Sequence, residues 1–234
     1  MAGTKLFRYE REMCGPARQW LLAEGLMVKV EFGTPWGVCD LVGCSLDAYE
    51  VRRRLLLRQR KPIRSEIRVG ILLKIPQASS GTTESIEDLC DYYGPYLDRK
   101  RIVLELGRLV RDRYIEEDEP GRYHRRTPWM PIHKRLVAVE LKLDRVADVI
   151  CQATNHLGLF DESYIGLPED VADRLMARWR TGEFLDRGLG VLSVSPDGCH
   201  VIAPARRRAA RERNALQVAA VERFWSAREA EKGQ

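Results

Sequence analysis

Histidine, paired cysteine motifs and long apolar segments are all scarce in this chain of 234 residues, and each shortage excludes a class of protein. The four histidines, together with six cysteines that form no CxxC pair, give little support for a structural zinc site. No uninterrupted apolar run approaches the roughly 18 residues that a membrane-spanning helix requires. Residues 1–8 contain no apolar core of the kind found in secretory signals, so we expect a cytoplasmic protein without membrane contact. In that reducing compartment, the cysteines are expected to be small buried hydrophobic side chains.

Lysine is scarce as well, because only eight of the 39 basic side chains are lysines. Nine basic residues and a single acid, Glu66, fall within residues 52–74, and a second arginine cluster occupies residues 206–213. Guanidinium groups bind phosphate oxygens two at a time, so concentrated arginine favours a polyanionic partner such as DNA. A solvated surface that only keeps the protein soluble would produce the same pattern, and both interpretations stay open.

The composition is that of a globular chain, with 44% hydrophobic and 31% charged residues, which excludes a mainly disordered protein. Hydrophobic periodicity then predicts an α/β protein that is interrupted by a helical insertion. The predicted elements outside the insertion are a helix at 5–24, strands at 26–32 and 38–43, a strand at 136–143, a helix at 147–157, a strand at 163–168, a helix at 169–180, a hairpin at 191–203 and a basic helix at 206–230.

The insertion has the outline of a winged helix-turn-helix, with helices followed by a hairpin at Pro120-Gly121. We place Val103, Leu106, Val110 and Tyr114 on the buried face of its last helix, at 98–116. The domain boundaries follow from this order. They are a discontinuous core at 1–46 and 129–205, a basic helical linker plus insertion at 47–128, and a C-terminal helix at 206–234.

Charged side chains interrupt two strands that otherwise look buried. Asp40 lies in the middle of 38–43, and Glu140 and Lys142 lie within 136–143. Residues two apart on a strand face the same side, and an ionised group is costly to bury without a partner. Carboxylates that converge on a divalent cation beside a lysine would remove that cost. The alternative is an ordinary Glu–Lys pair at the rim of an edge strand, with Asp40 in a turn.

The (D/E)xK triplet that contains Glu140 is not specific by itself, since roughly one such triplet is expected by chance in this composition. The chain has two, at 98–100 and 140–142, and only the second lies in an apolar strand. That strand follows an acid-bearing strand and a helix that contains glutamate, so its context, rather than the triplet, indicates a site.

These segments resemble the PD-(D/E)xK phosphodiesterase superfamily, in an uncharacterised bacterial branch, over residues 6–43 and 134–204. That family has a Glu on the first helix, an Asp on a core strand and then (D/E)xK on a later strand. The matching positions here are Glu10 or Glu12, then Asp40, Glu140-Leu141-Lys142, and Gln152 on the following helix. Cys39 stands where the name-giving Pro would be, and the inserted block accounts for the long separation between Asp40 and Glu140.

The resemblance implies a restriction-endonuclease-like fold, in which a mixed sheet is flanked by helices. It also implies a metal-dependent nuclease that hydrolyses DNA. It implies that Asp40, Glu140 and the Leu141 carbonyl bind Mg²⁺, or alternatively Mn²⁺. Lys142 would orient water or stabilise the transition state, and Glu12 and Gln152 would support the site. The spacing before Pro16 favours Glu12 over Glu10. His133 and His156 are expected to be structural, although His156, four residues after Gln152, could share the site-facing side of that helix. A homodimer is compatible with the resemblance.

The insertion would then contact DNA phosphates. The expected DNA-binding residues are Lys100, Arg101, Arg108, Arg111, Arg122, Arg125 and Arg126. Two other functions remain open, namely a nuclease-fold DNA-binding or regulatory protein without turnover, and a protein-interaction module whose basic surfaces are incidental.

Overall fold

The computed structural model describes residues 6–126, 132–178, 186–207 and 215–226. The chain divides into two compact units, one made of residues 1–45 and 133–212 and the other of residues 46–132 and 213–234. Within the described residues, no helix combines the length and apolarity needed to cross a bilayer.

Nine strands and eight α-helices are formed by the described residues. The strands are β1 (Met27–Thr34), β2 (Gly37–Leu46), β3 (Glu84–Ser85), β4 (Ile115–Glu119), β5 (Arg122–Arg125), β6 (His133–Leu141), β7 (Glu162–Pro168), β8 (Leu189–Ser195) and β9 (Gly198–Ala203). The helices are α1 (Cys14–Ala23), α2 (Ala48–Leu56), α3 (Glu66–Lys74), α4 (Ile86–Tyr93), α5 (Arg99–Arg111), α6 (Val146–His156), α7 (Glu169–Arg178) and α8 (Ala215–Glu222).

The first unit contains a six-stranded mixed sheet in the order β1-β2-β6-β7-β8-β9. Strands β6, β7 and β8 run parallel, whereas β1 pairs antiparallel with β2 and β8 with β9. The prediction of an α/β protein with a mixed sheet flanked by helices is therefore confirmed. Each predicted strand of this sheet is present, with bounds shifted by a few residues.

Helices cover both faces of this sheet, which explains why β6 is apolar along nearly its whole length. On one face, Val139 and Leu141 join a buried cluster with Leu21 of α1. On the other face, Ala153 of α6 belongs to a cluster with Ile165 of β7. The helix predicted at 5–24 begins later, at Cys14, and Pro16 lies in its first turn, where no intrahelical N–H bond is lost.

The second unit joins helices α2 to α5 and α8 to a three-stranded antiparallel sheet in the order β3-β5-β4. Side chains cap the helices at their N-termini: Asp47 caps α2, Ser65 caps α3, Ser85 caps α4 and Asp98 caps α5. These helices and strands surround one buried apolar cluster that includes Leu72, Leu106 and Tyr114.

The buried face predicted for α5 is partly wrong. Leu106 is buried, but Val103 is 45% and Val110 is 37% exposed, and Ile102 and Leu109 face the core in their place. Glu105 occupies the same buried face, where it pairs with arginines. The prediction treated Glu105 as a surface residue, and for that reason it assigned the wrong face of α5 to the core.

The C-terminal helix is shorter and more apolar than predicted. Helix α8 covers Ala215–Glu222, its residues 217–222 are buried, and it packs against α3. Arg206 and Arg207 are not helical, and the remainder of the predicted 206–230 helix, at 208–214 and 227–230, lies outside the described residues. Helix α8 therefore belongs to the core of the second unit, where Val218 and Ala219 join its buried apolar cluster.

Candidate active site

Neighbouring strands β2 and β6 bring the two acids of the predicted site together. The backbone N–H of Leu141 donates to Asp40 Oδ2 at 2.8 Å, which holds the Asp40 carboxylate against the end of β6. Asp40 is half-buried and Glu140 is buried. Glu31 lies on β1 between the Val30–Leu41 and Phe32–Cys39 pairs of the β1–β2 register. It adopts a left-handed backbone conformation with φ of 51°, which is unusual for a residue other than glycine.

Asp40 and Glu140 are close enough for the carboxyl group of one to affect the pKa of the other. Burial, together with the nearby Glu140 carboxyl, raises the pKa of Asp40 from 3.8 to about 6. The Leu141 N–H bond and the Lys142 ammonium act in the opposite direction but do not outweigh these effects. Like-charged carboxylates that are held together in this way favour a proton or a cation between them.

Replacement of Asp40 by asparagine is expected to stabilise the metal-free protein at pH 8 and to change little below pH 4. The folded state holds the Asp40 proton up to about pH 6, whereas the unfolded state releases it near 3.8, so stability is lost as the pH rises through this window. The gain corresponds to about 1–2 kcal/mol after a reduction for partial solvent exposure. Urea unfolding in EDTA at both pH values measures it.

Asp173, an exposed residue of α7, supplies the matched control. The Asp173→Asn variant should show no comparable pH-dependent gain. A gain for Asp40→Asn that is equal at both pH values would contradict the electrostatic explanation.

Lys142 follows directly after β6 and makes an ion pair with Glu10, with Nζ 2.9 Å from Oε2. Burial acts to lower the pKa of Lys142, but the bond to Glu10 and the charges of Asp40 and Glu140 outweigh it and raise that pKa. The side chain therefore carries an ammonium charge next to the two acids.

Glu10, and not Glu12, is the carboxylate that the N-terminal segment contributes. Glu12 is exposed, and its Oε2 accepts hydrogen bonds from the backbone N–H groups of Arg8 at 2.7 Å and Tyr9 at 3.1 Å. These bonds lower the pKa of Glu12 and make it a cap for the short 3₁₀ helix Glu10–Glu12. The spacing before Pro16 does not distinguish the two acids, because the chain makes a 3₁₀ turn at Glu10–Glu12 before α1 begins.

His156 is the neighbour that sequence reasoning did not assign to the site. Its Nε2 lies 2.5 Å from Oε1 of Glu140, and both side chains are buried. The thiol of Cys39 also lies close to this pair. The available signal was the position of His156 one turn after Gln152 on the helix that follows the (D/E)xK strand.

Gln152 itself is exposed on α6, and within the described part of the chain it makes no hydrogen bond to Asp40, Glu140 or Lys142. The structure thus brings Asp40, Glu140, Leu141 and Lys142 together, adds Glu10 and His156, and leaves Gln152 and Glu12 without a contact to them.

Most of the arginines expected to bind DNA already have acidic neighbours. The pairs are Arg101 and Arg108 with Glu105, Arg111 with Asp112, Arg122 with Glu119, and Arg126 with Glu116. Arg125 is half-buried, and burial lowers its pKa. Lys100 is exposed and has no ion pair among the described residues.

The basic stretch at 52–74 is also partly internal. Arg54 pairs with buried Glu222, and Arg68 pairs with buried Glu105. The net charge of this stretch therefore overstates what the second unit can offer to a polyanion.

Comparisons with known proteins do not name a family. No family model matches the chain, and no curated protein matches it. A solved structure described as "SPO1766 protein of unknown function from Silicibacter pomeroyi" is similar over 42% of this chain and 60% of its own length, less than two thirds of that protein. The identity is 13% and the TM-score is 0.28, so the likeness supports no functional argument.

Proposed function

We propose that the first unit is a metal-dependent nuclease that hydrolyses DNA phosphodiester bonds. The observation that carries this proposal is the grouping of Asp40 and Glu140 next to the charged Lys142, on neighbouring strands of a mixed sheet. In phosphodiester hydrolysis, carboxylates can hold a divalent cation, and an ammonium group can stabilise the negative charge that develops in the transition state. Both kinds of group are present here at the end of a core strand. In the finer fold assignment, the sheet with α1 and α6 corresponds to a restriction-endonuclease-like core.

The donor set fits Mg²⁺, with Mn²⁺ as an alternative. Asp40, Glu140 and the Leu141 carbonyl are oxygen donors, which hard divalent cations prefer. The raised pKa of Asp40 supports this fit, because a cation would offset the repulsion between the two carboxyl groups. When bound, such a cation would polarise a phosphoryl oxygen and acidify a water molecule.

The protein side chains would act through position and charge. Lys142 would stabilise the negative charge that develops on the phosphoryl oxygens in the transition state. Glu10 would orient the Lys142 ammonium through their 2.9 Å contact, and His156 would orient Glu140 through the 2.5 Å contact. Both are positioning residues, since each acts through a group that faces the substrate.

Cleavage of supercoiled plasmid tests the proposal. Purified protein with Mg²⁺ or Mn²⁺ should convert the plasmid to nicked or linear forms, and EDTA should prevent this. Asp40→Asn and Glu140→Gln should each abolish the conversion, whereas Asp173→Asn should not. If supercoiled, linear, single-stranded and branched DNA all stay intact with either metal, the nuclease proposal is wrong and a DNA-binding or regulatory protein that lacks turnover becomes the better description.

We further propose that the second unit is a winged helix that contacts DNA. The order α3, β3, α4, α5, β4, β5 and the sheet order β3-β5-β4 support this proposal, with α5 in the position of a recognition helix. The ion pairs of Arg101, Arg111 and Arg122 involve exposed arginines, and such pairs contribute little stability, so phosphate can compete for these side chains.

Salt dependence measures this DNA contact. Lys100→Ala is expected to lower the slope of log K against log salt by about 0.9, which corresponds to one lost phosphate contact. Fluorescence anisotropy with a labelled duplex at several salt concentrations gives the slope. Arg18→Ala, which changes an exposed residue of α1 in the first unit, should leave the slope unaltered if DNA binds the second unit.

A protein-interaction role is the second candidate for this unit. Exposed Val103, Leu104 and Val110 form an apolar face on α5, and the edge strand β4 carries four exposed acids at 116–119. Acidic side chains repel DNA phosphates, so this side of the unit suits a protein partner better. Unchanged DNA mobility at low salt would favour this candidate over the winged-helix proposal.

A further inference from the structure

Three side chains of the kinds that bind metals, a thiol, a carboxyl group and an imidazole, lie close together inside the first unit. Cys39 comes from β2, Glu140 from β6 and His156 from α6, and their exposed fractions are 0%, 2% and 4%. One ligand atom from each, the Cys39 sulfur, a Glu140 oxygen and a His156 ring nitrogen, lie within 4.8 Å of one another. Among the described residues, no other group of His, Cys, Asp and Glu side chains reaches this proximity.

The distances suit a tetrahedral transition-metal ion after small movements. Zn²⁺ binds sulfur at about 2.3 Å and nitrogen or oxygen at about 2.0–2.2 Å, so its ligand atoms stand roughly 3.3–3.8 Å apart. His156 Nε2 and Glu140 Oε1, now 2.5 Å apart, would separate by about 1 Å to admit an ion. The sulfur would approach by at most about 1.5 Å, which is within the range of side-chain rotation.

The donor types distinguish this group from the oxygen donors of the proposed Mg²⁺ site. Thiolate and imidazole prefer borderline or soft cations such as Zn²⁺ and Co²⁺, whereas Mg²⁺ keeps to oxygen ligands and water. The Cys39 thiol is a weak donor, and its single proton is shared between the Leu41 carbonyl at 3.3 Å and the Val139 carbonyl at 3.6 Å. Its proton would pass to solvent when the sulfur binds the ion.

We propose that Cys39, Glu140 and His156 form a binding site for a Zn²⁺-class transition-metal cation. The site would supply three protein ligands, and the fourth position of a tetrahedral ion would be taken by a ligand from outside these three side chains. Because Glu140 belongs to this group as well as to the oxygen set, the two kinds of cation compete for one carboxylate. The existence of the site does not depend on nuclease activity, but one consequence does: if the proposed function holds, Zn²⁺ will inhibit Mg²⁺-dependent cleavage.

Cobalt absorption tests the site directly. Protein stripped of metal with EDTA and dialysed is titrated with Co²⁺, which is expected to saturate at one equivalent and to produce the thiolate-to-cobalt charge-transfer band in the near ultraviolet. Cys39→Ser should abolish this band. Loss of a residue that only hydrogen-bonds to a metal ligand usually weakens metal binding by about 10–100-fold. His156→Gln removes a ligand and should therefore weaken Co²⁺ binding by more than this. Zn²⁺ should displace Co²⁺ and remove the band, whereas Mg²⁺ should not.

Cys44→Ser is the matched control, because Cys44 lies on the same strand as Cys39 and is equally buried. It should retain the band, as should Cys151→Ser, which changes an exposed cysteine of α6. Circular dichroism of each variant verifies that it is folded. Absence of the band in the wild type, or its persistence in folded Cys39→Ser, would overturn the proposal.

Activity measurements separate this inference from the proposed nuclease function. Asp40→Asn should abolish plasmid cleavage but keep the cobalt band. A cobalt band in a protein that cleaves no DNA supports the metal site and contradicts the nuclease proposal. Mg²⁺-dependent cleavage without a cobalt band supports the nuclease proposal and contradicts the metal site. Where both hold, Zn²⁺ should inhibit the wild type, and Cys39→Ser should require at least tenfold more Zn²⁺ for the same inhibition.

Discussion

Replacement of Lys142 by alanine is expected to slow metal-dependent DNA cleavage by about 10²–10³-fold, the usual effect of removing a group that stabilises transition-state charge. The ammonium is held at the end of β6 by Glu10 and is charged at neutral pH, since its pKa is raised by the surrounding carboxylates. Initial rates of plasmid nicking at saturating Mg²⁺ measure the effect. The loss should appear in kcat and not only in KM, because the interaction grows as charge develops.

Lys134 gives the matched control, as it is an exposed lysine on the same strand. The Lys134→Ala variant should cleave at the rate of the wild type. Glu10→Gln should fall between the two, because Lys142 keeps its charge and loses only its orienting partner. Equal activity of Lys142→Ala and Lys134→Ala would remove Lys142 from the proposed mechanism.

The second large effect concerns stability, because Glu222→Gln is expected to destabilise the second unit by about 3–5 kcal/mol. Glu222 is 1% exposed and accepts bonds from Arg54 Nη1 at 2.6 Å, from Arg54 Nη2 at 3.2 Å and from the Ile63 N–H at 2.7 Å. Arg54 also donates to the Tyr114 hydroxyl. A neutral amide at position 222 leaves a buried guanidinium without its counter-charge. Urea unfolding followed by far-ultraviolet circular dichroism, with hydrogen exchange to locate the change, measures the loss.

An exposed ion pair shows whether burial is the reason. Arg99 and Glu87 are 2.9 Å apart, with 58% and 66% of their side chains exposed, so Glu87→Gln should cost far less stability than Glu222→Gln. The double replacement Arg54→Met with Glu222→Leu should recover much of the stability, because it removes both charges together. If the double variant is as unstable as Glu222→Gln, lost packing and not an unpaired charge explains the effect.

The elements of the fold were largely predictable from local sequence. Strand β6 was identified by its run of apolar residues, and the hairpin β4–β5 by Pro120-Gly121, since these signals depend only on neighbours in the chain. The predicted orientation of helix α5 was wrong because a charged residue of that helix lies inside the protein. Glu105 faces the core because Arg68 pairs with it, and that partner is distant in sequence.

The candidate site was also predictable only in part, because some of its features depend on local sequence and others on distant residues. The residue types at Asp40, Glu140 and Lys142 indicated a polar group within a core sheet, because acids in apolar strands need partners. The choice between Glu10 and Glu12 could not be made in this way, since it depends on a 3₁₀ turn that directs Glu12 to the Arg8 and Tyr9 amides.

By itself, the sequence determined the order of helices and strands, the α/β class and the positions of the unusual core acids, because periodicity and turn chemistry act over a few residues. Only the tertiary structure decided which charges are internal, which glutamate meets Lys142, and that His156 and Cys39 stand beside Glu140. Those relations join segments up to 168 positions apart, as for Arg54 and Glu222. Periodicity and turn signals contain no information about such contacts, because the contacts arise from the order of strands in the sheet and from the packing of helices.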